Sequence, residues 1–204
     1  IKLLLKLFLF GILSTGVALF LEIYAEKIFP FSLQGNIIGI LFRSFIIISF
    51  CEELVKWLFT YVICWKDKNF NYVYDAIVYC VFISLGFASI ENLIAILSNS
   101  GGFTLALQRG LITVPAHAFF GIISGYYLGL AKKYEARRWN KRKRKYIILS
   151  LLIPIIVHGM FDSLLFLSST ASLLFATALI VYLYLSSALK VVKTSSEAKK
   201  ITRR

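Results

Sequence analysis

Six side chains of this sequence can take up, release or share protons from inside strongly apolar stretches: Glu52, Glu53, Glu91, His117, His158 and Asp162. Carboxylates and imidazoles of this kind can bind a metal, activate a water molecule or relay protons. Zinc hydrolases combine three His, Glu or Asp ligands with a bound water and a further Glu as general base. The inventory here meets that need without a nucleophilic Ser or Cys motif. Its densest group is Glu52-Glu53-Leu54-Val55-Lys56, inside an apolar run from Ile37 to Cys64. At about 100° per residue in a helix the two glutamates diverge, and Lys56 falls between them one turn on. Ser49 and Thr60 share that sector, while Phe50, Leu54, Leu58 and Phe59 take the other side. Lys56 is expected to neutralise either glutamate but hardly both, which leaves one carboxylate for another partner.

The remaining groups sit on further apolar stretches. Glu91 has Asn92 beside it, and Cys80, Ser84, Ala88 and Ala95 share its helical face, small enough for a neighbouring helix to come close. His117 lies on a face with Thr113 and Ser124, with Arg109 two turns away. His158 and Asp162 are spaced i, i+4 and are therefore adjacent. The chain has two histidines, and two of its three prolines, Pro115 and Pro154, precede them by two and four residues. Kinks at those prolines favour a cavity over a continuous apolar bundle. Gly121, Gly125 and Gly129 form a ridge that reads as tight helix packing alone. A charge near the centre of a membrane helix costs about 2.5–3.5 kcal/mol on insertion scales. No single helix carries enough partners for its own charges, so carboxylates from two helices are expected to meet both imidazoles in one wet cavity.

What must position these groups is a membrane bundle. With 59% hydrophobic residues and a mean hydropathy of +0.79 over 204 residues, the chain reads as an all-α, polytopic membrane protein and not as a soluble domain. Six spans are expected, at about 3–22, 37–64, 73–98, 104–131, 147–168 and 171–189. They must be helices, because lipid offers no partner for unpaired backbone groups. Glu22, Glu26 and Lys27 then fall in a loop, and residues 132–146 form a basic one. The whole chain, 1–204, reads as one membrane domain with its chemistry between residues 45 and 165. The run Leu3–Leu21 lacks an Ala-x-Ala-like exit and reads as an uncleaved first span. Cys51, Cys64 and Cys80 all fall within spans, so no disulfide framework is expected.

A net charge of +13 would suggest nucleic acid if it were spread over a surface, but it is not. Nine basic residues lie between Lys132 and Lys145 and six between Lys190 and Arg204, each cluster directly after an apolar span. Topology signals and contacts with anionic lipid have this form, and no nucleic-acid partner is expected. With both termini cytoplasmic, every basic residue except Lys27, Arg43, Lys56 and Arg109 lies near the inner surface. The expected location is the cell membrane.

At its polar positions the chain resembles the PrsW family of bacterial intramembrane proteases. The matching motifs are Glu52-Glu53-x-x-Lys56, Phe87-x-x-x-Glu91, the segment from Arg109 to His117, and His158-x-x-x-Asp162, in family order across the four central spans. The resemblance implies a peptidase that cuts a single-span membrane protein, such as an anti-sigma factor, on its extracytoplasmic side. That first cut would lead to release of a stress-response sigma factor. The family is similar to the CAAX-processing and bacteriocin-processing proteases, whose usual motifs are Glu-Glu-x-x-x-Arg, Phe-x-x-x-His and His-x-x-x-Asn. Here a lysine stands at shorter spacing, Glu91 replaces the second motif's histidine and Asp162 the asparagine, which weakens any transfer of prenylated substrates. In the implied roles, Glu52 or Glu53 is general base and the other is held by Lys56. Glu91, His117 and His158 bind a metal, zinc, or position the water and the oxyanion if there is none. Asp162 orients His158 or adds a ligand, with Asn92 and Arg109 in support. A metal-free, glutamate-dependent peptidase and a proton-coupled transporter are the alternatives. Transporters often show inverted repeats, and no pairing of halves is visible here.

Overall fold

Runs of Leu, Ile and Phe that must satisfy their own backbone polar groups fold as helices along almost the whole chain. In the computed structural model, which describes residues 1–99, 101–196 and 201, these are α1 (Lys2–Ile28), α2 (Ile37–Phe42), α3 (Phe50–Cys64), α4 (Val73–Ser98), α5 (Gly102–Ala136), α6 (Asn140–Leu167) and α7 (Thr170–Ser196). There is no strand among the described residues. Ser100 of the polar turn after α4, and Lys199, Lys200, Arg203 and Arg204 of the basic tail, lie outside them. Five helices, α1 and α4 to α7, are each long and apolar enough to cross a membrane. A sixth crossing is made without a break by α2, a π-helical stretch over Arg43–Ser49, and α3. The chain is a multi-pass membrane protein of helices, as its composition requires.

Two details differ from the sequence expectation. Helix α1 runs on to Ile28, so Glu22, Glu26 and Lys27 are helical and not in a loop. The basic segment 132–146 is mostly helix, because α5 continues to Ala136 and α6 begins at Asn140. Lysine and arginine are good helix formers whose long stems reach water from a helix end, so hydropathy falls well before the helix stops. Pro115 and Pro154 both lie inside continuous helices. A π-helical stretch, Arg43–Ser49, lies just ahead of Glu52.

Helix α4 is the centre of the packing and touches both α1 and α5. Its approach depends on glycine. A β-carbon on Gly86 would stand 2.1 Å from the Phe8 carbonyl oxygen, and one on Gly11 would stand 2.2 Å from that of Ile83. On α5, β-carbons at Gly125 and Gly129 would each come within 2.5 Å of α4 backbone, at Ala76 and Val73. The ridge is therefore the seat of α4. Gly125→Val is expected to destabilise the bundle by about 1–3 kcal/mol through overpacking. Gly16→Ala, where nothing lies within 4 Å, should be neutral or stabilise by up to about 1 kcal/mol through helix propensity. Thermal unfolding in detergent compares the two, and equal midpoints would refute the close-packing argument.

Candidate active site

A π-helical stretch holds more residues per turn than an α-helix and so rotates the helix that continues from it. Ser49, at the end of the Arg43–Ser49 stretch, and Glu52, Glu53, Lys56 and Thr60 on the inward face of α3 are all buried, while Phe50, Leu58 and Val62 are exposed toward the lipid side. Glu52, Glu53 and Lys56 are only 3–5% exposed, so their charges must be met inside the protein.

They are met by two histidines from α5 and α6. Lys56 Nζ donates to Glu53 Oε1 at 2.5 Å, stands 3.5 Å from Glu52 Oε2 and lies 3.3 Å from His117 Nδ1. The ammonium also sits 4.5 Å from the Phe87 ring centroid, a cation–π contact that replaces part of its lost hydration. His158 Nδ1 donates to the same Glu53 oxygen at 2.9 Å. Its Nε2 is 3.3 Å from Asp162 Oδ2 and 3.9 Å from Glu52 Oε2. The ring is held flat against Phe120, with centroids 4.6 Å apart and planes at 21°. His117 and His158 lie nearly perpendicular, 5.3 Å between centroids.

Glu91 occupies the next layer out. Its Oε2 accepts from His117 Nε2 at 2.7 Å and its Oε1 from Arg109 Nη2 at 2.5 Å. Arg109 Nε in turn donates to Asn92 Oδ1 at 2.7 Å. With Nε2–H committed to Glu91, the His117 Nδ1 lone pair is left to face Lys56, which assigns the tautomer from the network. A small cavity of about 150 Å³ opens beside these groups, and Glu52, Glu91, Arg109, His117, His158 and Asp162 all line it.

All the polar residues expected from the sequence come to this one place, from four helices. Two points of the expectation change. Lys56 touches both glutamates, though unequally, because its long side chain reaches past the positions that helical angles alone assign. The group with metal-ligand spacing consists of Glu52, Glu53, His117 and His158, one atom from each within 4.8 Å of the others. Glu91, expected in that set, is instead shared between Arg109 and His117. Glu22, which the sequence expectation placed in a loop, lies on α1. One of its carboxylate oxygens is buried without a hydrogen-bond partner. Its place in an apolar run, between Leu21 and Ile23, was the signal available.

Comparison with known proteins gives the chain's family. The family profile described as PrsW family intramembrane metalloprotease matches residues 1–189. Proteins named Protease PrsW are similar to the chain along much of its length. The one from Halalkalibacterium halodurans is 40% identical over 139 residues, 68% of this chain and 61% of that protein. The one from Clostridioides difficile is 31% identical over 200 residues, 97% of this chain and 82% of its own length. That from Geobacillus kaustophilus is 34% identical over 161 residues, 79% and 66% respectively. The chain thus spans between 61% and 82% of the length of these relatives. No solved structure is a significant match. With the profile covering nearly all of the chain and the polar motifs gathered at one centre, the chain belongs to the PrsW family of intramembrane metalloproteases.

Proposed function

We propose that the protein is an endopeptidase that hydrolyses a peptide bond of a membrane-anchored protein, with water as nucleophile and Glu52 as general base. One observation carries the assignment of the base. Glu52 Oε2 is buried without a hydrogen-bond partner and its residue lines the cavity, whereas Glu53 Oε1 already accepts from both Lys56 and His158. A base must have a free lone pair where the water will stand.

In the hydrolysis, Glu52 takes a proton from water as the oxygen attacks the carbonyl carbon. The oxyanion that develops is met by Arg109, a cation that lines the cavity. Glu52 returns the proton to the amide nitrogen as the C–N bond breaks, which frees the amine. Glu53 fixes the His158 ring through Nδ1, and Glu91 fixes His117, whose lone pair steadies Lys56. Glu53, Glu91 and His117 are positioning residues.

The family description calls for a metal, and the four donors at the centre, two carboxylates and two imidazoles, are of the kind zinc takes. Zinc held by Glu53, His117 and His158, with Glu52 left free to take a proton, would supply a Lewis acid that makes bound water easier to ionise. Lys56 Nζ lies within 3.5 Å of Glu52, Glu53 and His117, so it stands among the same donors and must withdraw from an ion. Lys56→Gln is therefore expected to bind zinc about tenfold or more tightly than the wild type, since two like charges a few ångströms apart repel. Metal analysis after dialysis reads this. Equal affinity would mean that the ion uses other donors.

The proposed side of cleavage rests on depth and on charge. Glu91 lies about 27 Å along α4 from Val73, at the cytoplasmic end, and about 10 Å from Ser98. With the basic ends and both termini cytoplasmic, the centre lies in the extracytoplasmic half of the cell membrane. A single-span protein such as a membrane-anchored anti-sigma factor is the proposed substrate class, with a stress response as its setting. Incubating such proteins with the enzyme in proteoliposomes and sequencing the new termini tests this. Cuts are expected near the extracytoplasmic surface; cuts mapping to the cytoplasmic side would overturn the orientation. Intact substrate alongside proton flux through the protein would favour the transporter.

A further inference from the structure

One face of α5 changes from apolar to cationic over its last three turns. Tyr126, Leu130, Lys133 and Arg137 are spaced i, i+4, i+7 and i+11 and lie along one line of the helix. With Lys193 of α7 and Val73 at the start of α4, they line a cavity of about 480 Å³. The α4 wall is fixed, because Gly129 brings the two backbones together beside Val73. Lys133, Arg137 and Lys193 make no ion pair among the described residues. The nearby acid is already committed: Glu135 pairs with Lys132 at 2.9 Å and with Lys143 at 2.6 Å.

We propose that this cavity is a binding site for one anionic phospholipid, its phosphate held by Lys133, Arg137 and Lys193 and an acyl chain lying along Leu130 and Tyr126. Cations in the last turn of a helix suit the helix dipole, which accounts for Lys133 and Lys193 one at a time. It does not account for three cations from two helices converging on one hollow, nor for the apolar wall that continues it toward the membrane centre. A phospholipid has the same order, charge at the surface and hydrocarbon inward. A free phosphate ion would engage the cations and leave the apolar half uncovered.

The test is native mass spectrometry of the purified full chain in mild detergent, titrated with phosphatidylglycerol, phosphatidylcholine or inorganic phosphate. One equivalent of phosphatidylglycerol is expected to be retained, with phosphatidylcholine lost. The variant carrying Lys133→Gln, Arg137→Gln and Lys193→Gln should bind phosphatidylglycerol about a hundredfold more weakly. If that variant fails to fold, Lys193→Gln alone, at an exposed position, should weaken binding about fivefold. Leu130→Trp, which fills the apolar half and leaves every cation in place, should also lower retention. Equal binding of the two lipids, unchanged binding in the glutamine variants, or full displacement by inorganic phosphate would each overturn the proposal. So would unchanged binding in Leu130→Trp, which would reduce the site to a basic surface.

Discussion

Glu52→Gln is expected to lower the turnover of a membrane-anchored substrate by about 10²–10⁴-fold while the variant still binds that substrate. Glutamine keeps the size of the side chain and most of its hydrogen bonding, but it cannot accept a proton from water. Oε2 accepts no hydrogen bond, though Lys56 Nζ stands 3.5 Å away, so the change should cost less stability than one that breaks the hydrogen bonds of Glu53. Glu53→Gln should behave differently. Its Oε1 accepts from Lys56 and from His158, so the variant should lose stability and the orientation of His158, with a smaller fall in turnover. The comparison needs both turnover and thermal unfolding for each variant. Normal cleavage by Glu52→Gln would remove it as the base. Loss of cleavage confined to Glu53→Gln, in a stably folded protein, would hand the role to the other carboxylate.

The difference between these two adjacent glutamates marks the limit of what the sequence discloses. That Glu52, Glu53 and Lys56 face inward is legible, because helical angles and the apolar residues Phe50 and Leu58 on the other side leave no alternative. The convergence of α3, α4, α5 and α6 is legible too, since charges on one membrane helix need partners from the next. Which charge meets which is not. Glu91 has the chemistry of a ligand, but Arg109 reaches it from α5 and claims one of its oxygens. Lys56 touches both glutamates because four flexible methylenes carry its amine beyond any position fixed by the backbone. Glu22 escapes a reading by hydropathy because the fall beyond it suggests a loop, while the helix continues to Ile28. The π-helical stretch that turns Glu52 inward also has no sequence mark, since Arg43–Ser49 is as apolar as its neighbours apart from Arg43 and two serines.

Lys56→Met is expected to destabilise the protein by about 3–5 kcal/mol, the cost of removing one partner from a buried charge pair. Methionine fills nearly the same volume and keeps the contact with the Phe87 ring, so packing changes little and the loss reports on charge. Three groups lose their cation at once: Glu53 at 2.5 Å, Glu52 at 3.5 Å and the His117 lone pair at 3.3 Å. The two glutamates would then face each other in a buried site with His158 as their shared neighbour. Adding Glu53→Gln to Lys56→Met removes the more tightly held of the two anions and should restore more than half of the lost stability. The coupling between the two sites is then more than about 2 kcal/mol, toward the upper end for residues that share one network. Unfolding of the two single variants and the double variant, in one detergent, gives the cycle. If Lys56→Met unfolds where the wild type does, the ammonium is not the cation that holds the centre together. If the double variant is the sum of the singles, Lys56 and Glu53 act independently, and the pairing seen at 2.5 Å contributes nothing to stability.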